Sequence, residues 1–163
     1  MEYRKLGTSD LSVSVVGFGG WGIAGGAMWG EQEVADSIEA LNAAVDAGIT
    51  FIDTAEAYGD GYSEELIGRA LGKRRDEITL ATKVLPSNLA PRDLRASCEA
   101  SLRRLQTDHV DLYQIHWPSG DVDPDAVVET LLKLRTEGKM RYAGVSNFGP
   151  GDLAPYPSVL CVS

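Results

Sequence analysis

The sequence contains few of the residues that build metal sites or disulfide frameworks. Its 163 residues include two histidines and two cysteines, Cys98 and Cys161. The two cysteines lack the paired spacing of a zinc site and do not form a disulfide framework. We therefore expect two reduced, buried thiols in a cytoplasmic protein, and no metal.

Positive charge and long apolar runs are also scarce. The 15 Lys and Arg residues are outnumbered by 24 Asp and Glu residues, which gives a net charge of −9. This balance argues against binding to nucleic acid or to anionic membranes, although a locally positive pocket would still accept an anionic cofactor. No apolar run approaches the ~20 residues of a membrane span, and the first residues do not show the basic-then-apolar pattern of a secretory signal, so neither is expected. The composition favours one soluble domain over residues 1–163.

Five short apolar runs have the composition of strands that are buried on both faces. They are VSVVGF (13–18), ITFID (49–53), ITLATK (78–83), DLYQIH (111–116) and MRYAGVS (140–146). Starts near 15, 49, 78, 111 and 140 give spacings of 34, 29, 33 and 29 residues. Strand–helix units of this length predict parallel strands with right-handed crossovers. A sixth strand is predicted within PSVLCVS (157–163).

Helical patterns fill the gaps between these runs. The first ends before Gly48, which stands where a helix is commonly followed by glycine. Ser63 is predicted to cap the second helix. Pro91 and Pro124 suit the first turns of the next two helices.

Two architectures fit this repeat: an open, doubly wound sheet or a (β/α)8 barrel, which typically needs ~250 residues. The opening YRKLGTSDLSVS (3–14) predicts a β-hairpin around Gly7 and Thr8. A barrel floor would use such a hairpin, whereas an open sheet has no need of it. We therefore predict an incomplete parallel TIM-barrel fold of five to six strands with an N-terminal hairpin.

A glycine motif keeps a dinucleotide-binding alternative open. Residues 17–22 match G-x-G-x-x-G, and Asp53 ends the second strand, where such a fold places its ribose-binding acid. The helical pattern, however, begins only around Glu31, and Asp53 follows the last glycine of the motif by 31 residues instead of the usual ~20. A wide loop that carries Trp21 and Trp29 to a pocket mouth fits the spacing better.

Polar residues end four of the predicted strands. They are Asp53, with Tyr58 just beyond it, Lys83, His116, and the pair Ser146 and Asn147. Because the carboxyl ends of parallel strands share one face, these side chains should converge. Each alone could cap a turn or edge a pocket, but several ionisable groups at buried strand ends carry a desolvation cost that a functional site would explain.

The convergent residues suit proton transfer to a carbonyl group. The ammonium of Lys83 would stabilise a Tyr58 phenolate, and Asp53 would hold the lysine in place. A neutral His116 would donate a hydrogen bond to the substrate oxygen while Tyr58 supplies the proton. The set offers no hydride donor, nucleophile–base pair or metal cluster, so a nicotinamide cofactor is the simplest source of hydride.

These segments resemble the aldo-keto reductases, which are NADPH-dependent (β/α)8 barrels. The resemblance runs from RKLGTSDLSVSVVGFGGW through AGITFIDTAEAYGDGYSEELIGRAL, LATK and LYQIHWP to GKMRYAGVSNF. It implies reduction of aldehydes or ketones with NADP(H), by a catalytic tetrad of Asp53, Tyr58, Lys83 and His116. In that tetrad Tyr58 is the general acid/base.

The resemblance also implies binding residues. The cofactor-binding set is Gly20, Trp21, Gly22, Asp53, Ser146 and Asn147. Within it, Ser146 and Asn147 would hold the nicotinamide carboxamide. Trp21 and Trp117 would line the pocket for a small carbonyl substrate.

The family's last strands and most of its cofactor clamp have no counterpart within residues 1–163. The resemblance therefore implies a single, C-terminally truncated domain. Two unpaired strand edges would result, and self-association through them is expected. A non-catalytic module that acts through protein association, and a dinucleotide-binding domain, remain the alternatives.

Overall fold

Strands and helices alternate along most of the chain. The structure is a computed structural model that describes residues 1–156 and, for their backbone, residues 160–162. Its strands are β1 (Tyr3–Lys5), β2 (Ser12–Ser14), β3 (Gly17–Gly19), β4 (Phe51–Asp53), β5 (Thr79–Val84), β6 (Val110–Ile115), β7 (Met140–Val145) and β8 (Leu160–Val162). Its α-helices are α1 (Val34–Asp46), α2 (Tyr62–Leu71), α3 (Pro91–Leu105), α4 (Pro124–Thr136) and α5 (Pro150–Leu153). The remainder of the predicted sixth strand, residues 157–159 and 163, lies outside the described residues.

In the described part of the chain, six strands form one parallel sheet in the order β3-β4-β5-β6-β7-β8. Each strand pairs with the next one in sequence, which is the order of a (β/α)8 barrel. A doubly wound dinucleotide-binding sheet instead reverses its strand order near the centre. The glycine motif leads into a 3-10 turn at Gly22–Ala24, and α1 begins only at Val34. The barrel-type prediction is confirmed, and the dinucleotide-binding alternative is wrong.

The predicted first strand, residues 13–18, is divided between β2 and β3. The hydroxyl of Ser14 donates to the carbonyl oxygen of Val16 at 2.6 Å and accepts from the amide of Thr50 at 2.9 Å. These bonds turn the chain and leave Val15 and Val16 exposed between the two strands. The prediction of one continuous strand is therefore wrong.

Most of the predicted helix signals are where the sequence places them. Pro91 and Pro124 are the first residues of α3 and α4, and Gly48 follows α1 with a φ of +87°. The predicted cap at Ser63 is wrong, because α2 already begins at Tyr62. Ser63 lies inside the first turn, and its hydroxyl bonds to a distant segment of the fold.

The predicted hairpin is confirmed, with β1 antiparallel to β2. Its side chains Leu11 and Val13 are buried. Asp10 accepts hydrogen bonds from Arg141 at 3.0 Å and from the hydroxyl of Tyr142 at 2.9 Å, near the start of β7. The hairpin thus covers the amino end of the sheet and leaves the carboxyl ends of the strands free for a site.

The core lies between the sheet and the helices that cover it. Every residue of β5 and β6 is buried, and α2 packs closely against α3 at Gly68. A Cβ atom at that glycine would collide with the backbone of Arg104 and Leu105. None of the helices in the described residues has both the length and the apolarity to cross a membrane.

Candidate active site

The structure brings the four predicted tetrad residues together at the carboxyl end of the sheet. Asp53 is the last residue of β4, and Tyr58 lies in the turn before α2. Lys83 lies near the end of β5, and His116 directly follows β6. Short strands that end in a turn thus place side chains from three different strand ends around one point.

Lys83 is the centre of this group. Its side chain is buried, and its Nζ donates to Oδ2 of Asp53 at 2.7 Å and to the carbonyl oxygen of Thr54 at 2.9 Å. The third contact of Nζ is the hydroxyl of Tyr58, at 3.4 Å. The three protons of an ammonium group therefore have three acceptors, which fixes its position beside the phenol.

His116 also lies next to the Tyr58 phenol. Its ring centroid lies 5.6 Å from that of Tyr58 in an edge-on arrangement, and Trp117 stacks on the imidazole at 3.5 Å. Burial lowers the pKa of His116 from 6.5 to about 4, and the positive charge of Lys83 acts in the same direction. The imidazole is therefore neutral near pH 7. Its Nδ1 is buried and has no hydrogen-bond partner among the described residues.

A cavity of about 370 Å³ opens in front of these groups. Its lining residues are Trp21, Ala57, Tyr58, His116, Trp117 and Asn147. The indole of Trp21 stacks on the ring of Tyr58, with centroids 6.0 Å apart and planes at 22°. Trp29 meets Trp21 edge-on at 5.8 Å. The glycine-rich loop therefore carries Trp21 to the cavity, whereas Trp29 contacts Trp21 and is not one of the lining residues.

The residues predicted to hold the nicotinamide carboxamide lie beside this cavity. Asn147, with a φ of +61°, donates from Nδ2 to the carbonyl oxygen of His116 at 2.9 Å and to Oγ of Ser146 at 3.1 Å. Asn147 is exposed toward the cavity that it lines. Both Nδ2 protons of Asn147 are thus used within the protein, while its Oδ1 can still accept and the hydroxyl of Ser146 can still donate. One acceptor and one donor at this edge fit the carboxamide of a nicotinamide ring.

The other predicted cofactor residues belong to the glycine-rich loop. Gly20 is buried, and its amide donates to the carbonyl oxygen of Asp53 at 2.7 Å. Gly22 starts the 3-10 turn, and Trp21 lies between the two. Contact of these residues with a cofactor stays a prediction.

Two features of the site were missed by the sequence analysis. Ala57 lines the cavity, and no property of an alanine marks it in advance. Thr54 supplies a main-chain carbonyl to Lys83, and any residue type could supply that group. No cluster of three or more His, Cys, Asp or Glu side chains suited to a metal lies in the described residues.

The stability that His116 contributes should depend on pH. Folding lowers the pKa of His116 from 6.5 to about 4. Between these pH values the imidazole is therefore protonated in the unfolded chain and neutral in the folded chain. The contribution should be complete above about pH 6.5 and decline as the pH falls toward about 4. Urea denaturation at several pH values should show this decline, and His116→Gln should remove part of it. An identical pH dependence in wild type and variant would contradict the assignment.

Comparison with known proteins places this geometry in a family. The sequence model of the Aldo/keto reductase family matches residues 15–155. Aldo-keto reductase YhdN of Bacillus subtilis is 44% identical over 158 residues, which cover 91% of this chain and 47% of that protein. Methylglyoxal reductase YeaE of Escherichia coli is 42% identical over 146 residues, which cover 90% of this chain and 50% of that protein.

Solved structures agree with the sequence matches. A thermostable aldo-keto reductase in complex with the inhibitor epalrestat superposes with a TM-score of 0.90 and 36% identity, covering 100% of this chain and 62% of that one. An aldo-keto reductase from Klebsiella pneumoniae in complex with NADPH gives a TM-score of 0.84 and 38% identity, with 95% of this chain and 53% of that one covered. This chain spans about half the length of the curated relatives that it matches. The match over most of its residues shows that the chain belongs to the aldo/keto reductase family.

Proposed function

We propose that this chain provides the catalytic side chains of an NADPH-dependent reductase that converts an aldehyde or ketone to an alcohol. The observation that carries the proposal is the placement of the Lys83 ammonium between the carboxylate of Asp53 and the hydroxyl of Tyr58. A neutral His116, edge-on to the phenol, completes the group. A relative that is named a methylglyoxal reductase supports a small carbonyl compound as the substrate.

In this proposal Tyr58 is the general acid. Its O–H donates a proton to the carbonyl oxygen as the carbon is reduced, and the product is an alcohol. Lys83 stabilises the phenolate that remains, and Asp53 holds the ammonium in position. His116 orients the carbonyl by donating one hydrogen bond to its oxygen, which a neutral imidazole does from its single N–H group.

Reduced nicotinamide would supply the hydride when bound. The carboxamide would be held by Ser146 and Asn147, and Gly20, Trp21, Gly22 and Asp53 would border the ring. An NADPH complex of a Klebsiella relative supports NADPH. Another relative, from Escherichia coli, is named an NADH-specific methylglyoxal reductase, at 34% identity. Both cofactors therefore belong in the assay.

Association through strand edges is a second candidate function. Among the described residues, β3 pairs only with β4, and β8 only with β7. Val15 and Val16, next to the free edge of β3, are 47% and 52% exposed. An open edge beside exposed apolar side chains favours pairing with another chain.

The reductase proposal is tested by a chimera that joins this chain to the corresponding C-terminal part of the Bacillus subtilis relative. We expect aldehyde-dependent oxidation of NADPH, with one alcohol formed for each NADPH consumed. Lys83→Met should lower kcat by about a hundredfold or more, since the phenolate loses its stabilising charge. Lys73→Met, which removes an exposed lysine, is the matched control and should leave kcat unchanged.

Two results would count against the reductase proposal. One is a chimera that binds NADPH without turning over any carbonyl compound. The other is a Lys83→Met variant that is as active as its Lys73→Met control. A silent chimera, combined with a wild-type chain that forms dimers in sedimentation equilibrium, would favour the association candidate.

A further inference from the structure

Gly20 is packed against two buried hydroxyl groups that the proposed chemistry does not use. The Oγ of Ser63 donates to the carbonyl oxygen of Gly20 at 2.7 Å. The hydroxyl of Thr54 lies 2.8 Å from the same Oγ. Both Thr54 and Ser63 are fully buried, so these bonds form out of contact with water. A buried hydrogen bond of this kind is costly to leave unmade.

The same two residues hold the site through their main-chain groups. The amide of Ser63 donates to the carbonyl oxygen of Tyr58 at 3.2 Å. The carbonyl oxygen of Thr54 accepts from Nζ of Lys83 at 2.9 Å. The backbone of each residue therefore contacts the tetrad. The side chain of Ser63 contacts the glycine-rich loop directly, and the side chain of Thr54 does so through the Ser63 hydroxyl.

This arrangement accounts for a glycine at position 20. A Cβ atom there would lie 2.6 Å from Oγ of Ser63 and 3.1 Å from the carbonyl oxygen of Asp53. No other residue fits so close to the hydroxyl pair. Gly19 differs, because a Cβ at that position would have no neighbour within 4 Å among the described residues.

The position of Gly20 sets that of Trp21, the next residue. The Trp21 side chain is 45% exposed, yet its indole stacks on Tyr58 and forms one wall of the cavity. A side chain so exposed depends on its backbone for a fixed position. That backbone is tied at Gly20 on both sides, by its amide to Asp53 and by its carbonyl oxygen to Ser63.

We propose that Thr54 and Ser63 are positioning residues whose paired hydroxyls fasten Gly20 and thereby hold the Trp21 indole over Tyr58. We call this set, the two hydroxyl groups and the Gly20 carbonyl oxygen that they hold, the clamp. The effect of the clamp on catalysis rests on the proposed reductase function. The position of the Trp21 indole does not depend on that function. This position can be measured in a chain that turns over no substrate.

The test uses the complete chain with Trp21 as its only tryptophan, after Trp29→Phe and Trp117→Phe. Adding Ser63→Ala should increase about fivefold the population in which the glycine-rich loop has left Ser63 and the Trp21 indole no longer covers Tyr58. This is the effect of losing one ordinary hydrogen bond. The emission of Trp21 should then shift to longer wavelength, and acrylamide should quench it more strongly. Thr54→Ser keeps the hydroxyl and should leave both signals unchanged.

Further variants keep the test decisive if Ser63→Ala does not fold. Thr54→Val removes the partner hydroxyl at nearly constant shape and should expose Trp21 in the same direction. Gly20→Ala should expose it, whereas Gly19→Ala should not. In the unaltered chain, the Gly20 amide should resist hydrogen exchange as the amides of β4 do. In an active chimera, Ser63→Ala should raise KM more than it lowers kcat, because a pocket wall has moved while the tetrad remains.

The clamp is overturned by a Ser63→Ala or Thr54→Val variant that keeps the wild-type far-UV circular dichroism and unchanged Trp21 quenching. Rapid exchange of the Gly20 amide in the unaltered chain would overturn it as well. A chimera without turnover bears on the reductase proposal alone, since the fluorescence and exchange measurements need no substrate.

Discussion

Tyr58→Phe is expected to lower kcat/KM for carbonyl reduction by about a hundred- to ten-thousand-fold, the usual contribution of a positioned general acid. The variant loses only the oxygen that would protonate the substrate. The phenyl ring can keep its stacking on Trp21 and its edge-on contact with His116. The loss should therefore appear in turnover while the cavity keeps its shape. Steady-state kinetics in the chimera, with several aldehydes, measures the effect.

Two controls separate chemistry from folding and binding. Tyr62→Phe removes a hydroxyl from a half-buried tyrosine that packs against the core at the start of α2, and it should leave turnover unchanged. NADPH affinity, measured by fluorescence titration, should be the same for Tyr58→Phe and wild type. A Tyr58→Phe enzyme with nearly full kcat would remove Tyr58 as the proton donor and with it the mechanism proposed above.

The convergence of the tetrad could be predicted from the sequence because it depends on local patterns. Four of the five apolar runs end at a polar residue, and parallel topology then places these ends on one face. The same reasoning located Lys83 and His116 at strand ends. The order of the sheet also follows from the strand–helix period, since short crossovers favour pairing of sequential strands.

The two wrong predictions, the helix cap and the continuous first strand, both involve a side chain that bonds to a segment far away in the sequence. Ser63 has the composition and position of an N-cap, but its hydroxyl binds Gly20, which is 43 residues earlier. Ser14 interrupts a run that reads as one strand, because Thr50, 36 residues later, donates to its hydroxyl. Local propensity carries no information about such partners, whereas tertiary contacts decide which of two locally acceptable conformations is adopted.

The residues predicted to bind the cofactor differ in how far the structure supports a contact with a ligand. Asn147 lines the cavity, and Ser146 accepts a hydrogen bond from Asn147. Gly20, by contrast, uses both of its main-chain groups inside the protein. Family resemblance indicates where a residue lies in the fold. Whether that residue contacts a ligand or supports a neighbouring residue depends on three-dimensional contacts that the sequence alone does not show.

We expect the largest loss of stability when one partner is removed from a buried ion pair beneath the site. Glu64, at the start of α2, is fully buried. Its carboxylate accepts from Nε of Arg104 on α3 at 2.6 Å and from the hydroxyl of Thr82 on β5 at 2.5 Å. The pair therefore joins two helices to the strand that carries Lys83. A charge left in such a place without its partner is strongly destabilising.

Glu64→Ala is expected to lower the free energy of unfolding by about 3–5 kcal/mol. The guanidinium of Arg104, whose side chain is 22% exposed, would lose its counter-charge, and the hydroxyl of Thr82 would lose its acceptor. Urea denaturation followed by circular dichroism measures the change. Replacing both partners, in Glu64→Leu with Arg104→Met, should cost less than Glu64→Ala alone, because no unpaired charge then remains.

The matched control is an ion pair of similar length on the surface. Arg95 and Glu137 also approach to 2.6 Å, but their side chains are 35% and 40% exposed. Solvent screens such a pair, so Glu137→Ala should lower the free energy of unfolding far less than Glu64→Ala does. Both pairs join an arginine to a glutamate at 2.6 Å, and Glu137 has a second cation, Lys139, at 3.0 Å. A smaller loss from Glu137→Ala in spite of that extra partner would show that burial dominates. Equal losses from Glu64→Ala and Glu137→Ala would mean that water or a neighbouring group compensates Arg104, and that the pair does not join α2 to α3.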